Sequence, residues 1–237
     1  MKGTILRVEW RVGFRNKRLL FFNTVVPLAF VGPIVLGGAP GTHATSILVV
    51  LFALFATFGS SIPLVRDYES GLLQRFLMTG IDPGRLLLER TAAFVIIDFL
   101  QLFPAMLLIV VSTSASPGDG FLFLVTIFLT LVAGNLLGVL AASISRSIAE
   151  GALFSSLLAL YMVHLSGVFR IVPDESFVRG FEAWMPFRPM YLAIGTLISG
   201  VDQWEGGRLM IPSLLLTVLM MIMTYLRGRA FFTGKYQ

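Results

Sequence analysis

FLFLVTIFLTLVAGNLLGVLAA, from Phe121 to Ala142, decides the class of fold. The stretch holds no charged residue, and its polar side chains are Thr126, Thr130 and Asn135. A bilayer core accommodates about 20 apolar residues as a helix. Backbone in lipid has no water to bond to, so a run this long must satisfy its own N–H and C=O groups as a helix. Five further stretches read the same way: Leu19–Gly38, Thr45–Val65, Thr91–Val111, Ala152–Phe169 and Leu209–Leu226. The chain therefore reads as an all-α polytopic membrane protein with six transmembrane helices, forming a single transmembrane domain over 1–237.

Composition agrees. Hydrophobic residues make up 56% of the chain and charged residues 13%, with a mean hydropathy of +0.86. A soluble domain carries about 25% charged residues. Cysteine is absent, which excludes disulfides, thiolate metal sites and a cysteine nucleophile. The net charge of +5 does not point to nucleic acid. The basic residues flank apolar spans, where they set orientation and meet lipid headgroups. The run from Leu19 is longer than the core of a cleaved signal, about 7–15 residues, so it is expected to stay as a span.

Lysine and arginine collect on one side. The N-terminal segment holds Lys2, Arg7, Arg11, Arg15, Lys17 and Arg18, and the second connection Arg66, Arg75, Arg85 and Arg90. The fourth connection adds Arg146, and the tail adds Arg227, Arg229 and Lys235. The connections Ala39–Ala44 and Ser112–Gly120 hold none. Both termini are accordingly expected in the cytoplasm. The fifth connection dissents with Arg170, Arg179, Arg188 and Arg208, balanced by five acids, and falls outside.

Three segments between or beside the spans have character of their own. Over 1–18, Arg7, Arg11, Arg15 and Arg18 fall on one helical stripe flanked by Trp10 and Phe14. This predicts an interfacial amphipathic helix, with a plain positive flank as the alternative. The cytoplasmic loop 66–90 opens with RDYESGLLQRFLMTG, Arg66 to Gly80. Acids begin it, Leu72, Leu73, Phe76 and Leu77 form an apolar set, and Gly80 supplies a stop, so a short helix is expected. Asp82 and Pro83 then supply an N-cap and a first-turn proline for a helix that runs into the third span. The apolar face of the short helix suits either a docking partner or the lipid surface. The outer connection 171–207 mixes Phe177, Phe181, Trp184, Met185 and Tyr191 with charges, as an interfacial segment does, or an ordinary loop.

Loop 66–90 resembles the coupling loop of type-2 ATP-binding cassette (ABC) exporter permeases. Glu69, Gly71, Leu72, Arg75, Leu77, Asp82 and Pro83 stand where that family has an acid–x–Gly element, a leucine-rich turn and a helix restart. Arg90 stands where the family often has lysine. The basic helix at Ile5–Arg18 and the stretch WMPFRP, Trp184 to Pro189, before the last span are similar to the family as well. The resemblance implies a coupling helix that meets an ATPase subunit through Glu69, Gly71, Leu72, Leu73, Arg75, Phe76 and Leu77. It implies a pair of permease subunits, identical or not, in the bacterial cytoplasmic (inner) membrane. ATP and magnesium would belong to the partner subunit, with no cofactor in this chain. The outer connection would form a re-entrant segment that caps the exit.

The chain holds no phosphate-binding loop of its own. Its nearest approach, Gly228 to Lys235, has five residues between the glycines and Tyr236 after the lysine, which departs from G-x-x-x-x-G-K-[ST]. No H-E-x-x-H or G-x-S-x-G occurs, and no metal site is expected. Polar groups inside the spans are few: Asp98, Gln101, Asn135 and His164 are candidates for the path, or for structural hydrogen bonding. Gly134 and Gly138 form a G-x-x-x-G that suits packing within one subunit or between two.

The function expected is therefore a permease subunit of an ATP-driven exporter for an amphipathic or lipid-like substrate. An ion-coupled secondary transporter would instead need Asp98 and His164. A membrane assembly protein without transport is the third reading.

Overall fold

Three of the helix starts among the described residues are marked by side chains that satisfy free N–H groups. A computed structural model describes residues 10–11, 17–38, 41–113, 116–169, 177–199 and 210–228. Among them run α1 (Lys17–Leu36), α2 (Gly41–Glu69), α3 (Leu72–Met78), α4 (Pro83–Ser112), α5 (Pro117–Ile144), α6 (Ile148–Leu165), α7 (Phe177–Glu182), α8 (Arg188–Ser199) and α9 (Met210–Leu226). Asp82 accepts the Arg85 N–H at 3.0 Å and Pro83 opens α4. Ser116 and Pro117 do the same for α5, and Ser147 for α6. These caps satisfy donors that the helix itself leaves free.

Four helices are long and apolar enough to cross a bilayer: His43–Glu69, Pro83–Ser112, Pro117–Ile144 and Ile148–Leu165. Leu20–Leu36 and Met210–Leu226 are shorter apolar helices at the positions of the expected first and last spans. The chain is an all-α, polytopic membrane protein. Of the expected interfacial helix over 1–18, Trp10 and Arg11 are helical and exposed; most of the segment lies outside the described residues.

α2 is the central helix, lying against α5, α6 and α8, while α1 lies on α4 and α9 on α4 and α5. The tightest approach is between α2 and α5. A Cβ on Gly138 would collide with the Ser60 hydroxyl and the Thr57 carbonyl, and one on Gly134 with Ala56. The G-x-x-x-G pair therefore lets two helices of the same chain touch. Both glycines are buried against α2, so of the two packings the sequence allows, the one within a single subunit is formed here.

The described part of the fifth connection, residues 177–199, packs into this bundle. Phe187, Met190, Ala193 and Ile194 share one core with Phe52, Leu131 and Val163. Glu182, 2% exposed, pairs with Arg188 at 3.8 Å, and Arg188 donates to the Ser166 carbonyl at 3.3 Å.

Candidate functional site

α2 continues past its apolar part to Glu69, and the chain then turns through Gly71 at φ 69°. α3 occupies seven residues, and Gly80 at φ 78° ends the segment. Both angles lie in the left-handed region, where a side chain is strained and glycine is not. α3 is thus hung between two glycine hinges at the end of the bundle where α2 stops and α4 starts.

The two faces of α3 differ. Leu73 is fully buried against Leu64, Val65, Leu86, Leu87 and Phe94, with Phe76 and Leu77 half-buried beside it. Leu72 and Arg75 are exposed, and Met78 is 84% exposed. The sequence places Leu73 on a docking surface; the structure turns it inward, so it touches the protein's own membrane domain. Met78 takes its place on the outer face, a position that the apolar pattern alone did not single out.

Behind α3 lies a buried ion pair. Arg90, wholly buried in the second full turn of α4, donates through Nη2 to Asp67 Oδ2 at the end of α2. Asp67 also pairs with Arg66 at 3.3 Å, and the Arg90 guanidinium lies 5.6 Å from the centre of the Phe94 ring. Arg90 therefore does not meet lipid headgroups, as its place among the orientation charges implied. Removing one partner of such a pair leaves the other charged and buried, which is why the pair is stiff. Glu69 forms a second tie: its Oε1 accepts the Ile148 N–H at 3.2 Å, joining the loop to the start of α6.

The intramembrane candidates separate into two places. Asn135 donates to Asp98 Oδ2 at 2.9 Å and to the Leu131 carbonyl at 3.0 Å, while the Ser60 hydroxyl donates to the Asn135 carbonyl at 2.6 Å. Gly59 makes room for the Asp98 carboxylate, since a Cβ there would overlap it. One turn on, Gln101 accepts from Asn23 at 3.1 Å and ties α1 to α4. These groups bond α1, α2, α4 and α5 together inside the bundle. His164 is elsewhere, exposed near the end of α6 and stacked on Phe169 with 6.5 Å between ring centres.

The sequence profile of the family described as ABC-2 type transporter matches residues 3–194. That match runs from before α1 into α8 and includes the whole α3 loop. No curated protein matches the chain. A short helix carried beneath a polytopic bundle and a profile match over most of the chain agree: the chain belongs to the ABC-2 type transporter family, as a membrane permease component.

Proposed function

We propose that this chain is the permease subunit of an ATP-driven exporter whose ATP is hydrolysed by a separate, soluble-type subunit that binds the outer face of α3. Leu72, Arg75 and Met78 make the contact. Two permease subunits, identical or not, enclose the path, and ATP and magnesium stay in the partner. The α3 side faces the cytoplasm, with both termini there, in the inner membrane of a bacterium. The substrate is amphipathic or lipid-like, in keeping with the apolar character of the spans.

One observation carries this reading: α3 has its inner face fixed in the bundle and its outer face bare. A push on that face reaches α2 and α4 together, through Leu73 and the Asp67–Arg90 pair, and reaches α6 through Glu69. Sub-ångström shifts at such a junction become whole-helix movements because packed cores are not continuously deformable. Asp98 and His164, which ion coupling would need, lie apart, one bonded into the bundle and one exposed at a helix end.

The test is a gentle detergent purification from the native membrane. A co-purifying subunit with a G-x-x-x-x-G-K-[ST] loop and vanadate-sensitive ATP hydrolysis is expected. A preparation with no such partner, repeated under cross-linking, overturns the proposal.

A further inference from the structure

On the α3 side of the molecule, α4, α5 and α9 leave a cleft of about 350 Å³ between them. Its floor is Leu87, Leu136 and Val139, all nearly fully buried. Leu140 on α5 and Met223 on α9 stand at its open edge, each about half exposed. Methionine adapts its shape to irregular apolar ligands. The volume lies in the range of small-molecule sites, about 300–1,000 Å³.

The mouth of the cleft is charged. Arg227, one residue beyond the end of α9, is exposed there, and no acid among the described residues pairs with it. Ser143 and Thr224 lie beside it, but their hydroxyls already donate to the Leu140 and Met220 carbonyls. Arg227 is therefore the donor left for a ligand. The negative end of α9 does not cancel it. Gly84, in the first turn of α4, packs directly against Tyr225 and Gly228, so the positive end of α4 faces the negative end of α9.

An apolar slot with one cation at helix-end level matches the layout of a phospholipid. Basic pockets between spans are where anionic headgroups bind. We infer that this cleft holds an anionic phospholipid of the leaflet on the α3 side, with its phosphate on Arg227 and one acyl chain between α5 and α9. The lipid is a resident of the protein's flank, and the inference does not depend on what is transported.

The experiment places a reporter in the wall, Met223→Trp, in the full chain reconstituted with whatever subunits co-purify. Brominated phosphatidylglycerol and brominated phosphatidylcholine are titrated into the vesicles, and quenching is taken against the parent protein. Phosphatidylglycerol is expected to half-quench at about a fivefold lower mole fraction, the preference one basic residue near the surface supplies. Arg227→Gln brings the two lipids together, and Arg227→Lys keeps them apart. Equal quenching with Arg227 present overturns the inference, as does no quenching by either lipid, which means protein covers the cleft. Leu140→Trp, on the opposite wall, gives the same reading should Met223→Trp not fold.

Discussion

α3 and α8 are short helices at opposite ends of the same bundle, and each sits beside a buried charge pair: Asp67–Arg90 for α3 and Glu182–Arg188 for α8. They are used in opposite ways. α8 sends Met190, Ala193 and Ile194 into the central core, next to Phe187. α3 sends in Leu73 as its one fully buried side chain and leaves Met78 almost bare. α8 is absorbed and α3 is presented. A presented helix has to be held from behind, and its arginine is the more deeply buried and the more closely paired: Arg90 is 0% exposed and hydrogen-bonded to Asp67, whereas Arg188 is 14% exposed and 3.8 Å from Glu182. The largest expected effect follows. Arg90→Met leaves the buried Asp67 with only the exposed Arg66 as a partner and is expected to cost about 3–5 kcal/mol. The double variant Asp67→Leu/Arg90→Met should recover most of that loss, because apolar side chains replace the pair. Arg188→Met should cost less than Arg90→Met. Thermal unfolding in detergent reads all three, and an unchanged midpoint for Arg90→Met would break the comparison.

The two glycines at φ near +75° sharpen it. Gly80 ends the α3 segment with open space where a Cβ would go, while a Cβ on Gly167 would overlap the Glu182 carboxylate. Gly80→Ala therefore meets only the left-handed penalty, about 1–2 kcal/mol. Gly167→Ala meets that and a steric cost of about 1–3 kcal/mol from displacing a buried acid. Equal losses in the two variants would mean that the Glu182 carboxylate is not seated against Gly167.

The parts that the sequence makes legible are those with local causes. Apolar runs locate the spans, and Asp82 with Pro83 marks the start of α4, because capping needs only neighbours in sequence. Even so, α2 and α4 extend past the apolar windows, to Glu69 and back to Pro83, since hydropathy falls where Arg66, Asp67, Glu69, Arg85 and Glu89 enter while the helices continue. The Asp67–Arg90 pair joins residues 23 apart, and Arg90 looks like any other arginine at the foot of a span. An acid and a base at the two shoulders of one loop were the available signal. The faces of α3 are harder still. Seven residues make two turns, and Leu72, Leu73, Phe76, Leu77 and Met78 put apolar groups all round them. Only the packing against Leu64 and Leu86 decides which side is inward.

That ambiguity makes the smallest stability effect the sharpest test of function. Met78→Glu changes an exposed side chain and should leave stability within about ±0.5 kcal/mol. Leu73→Glu, one turn and a half away, buries a charge in an apolar cluster and should unfold the α3 end of the bundle. Loss of function in Leu73→Glu therefore says nothing about a partner, whereas loss in Met78→Glu says a great deal. If α3 is the surface an ATPase subunit grips, Met78→Glu and Leu72→Glu should insert and melt like the parent protein yet lose transport in vesicles and release the ATPase on purification. Full transport with the partner retained in both variants would mean that the bare face of α3 is not the contact, and the search would move to the loop at Arg146 and the start of α6, where Glu69 makes its tie.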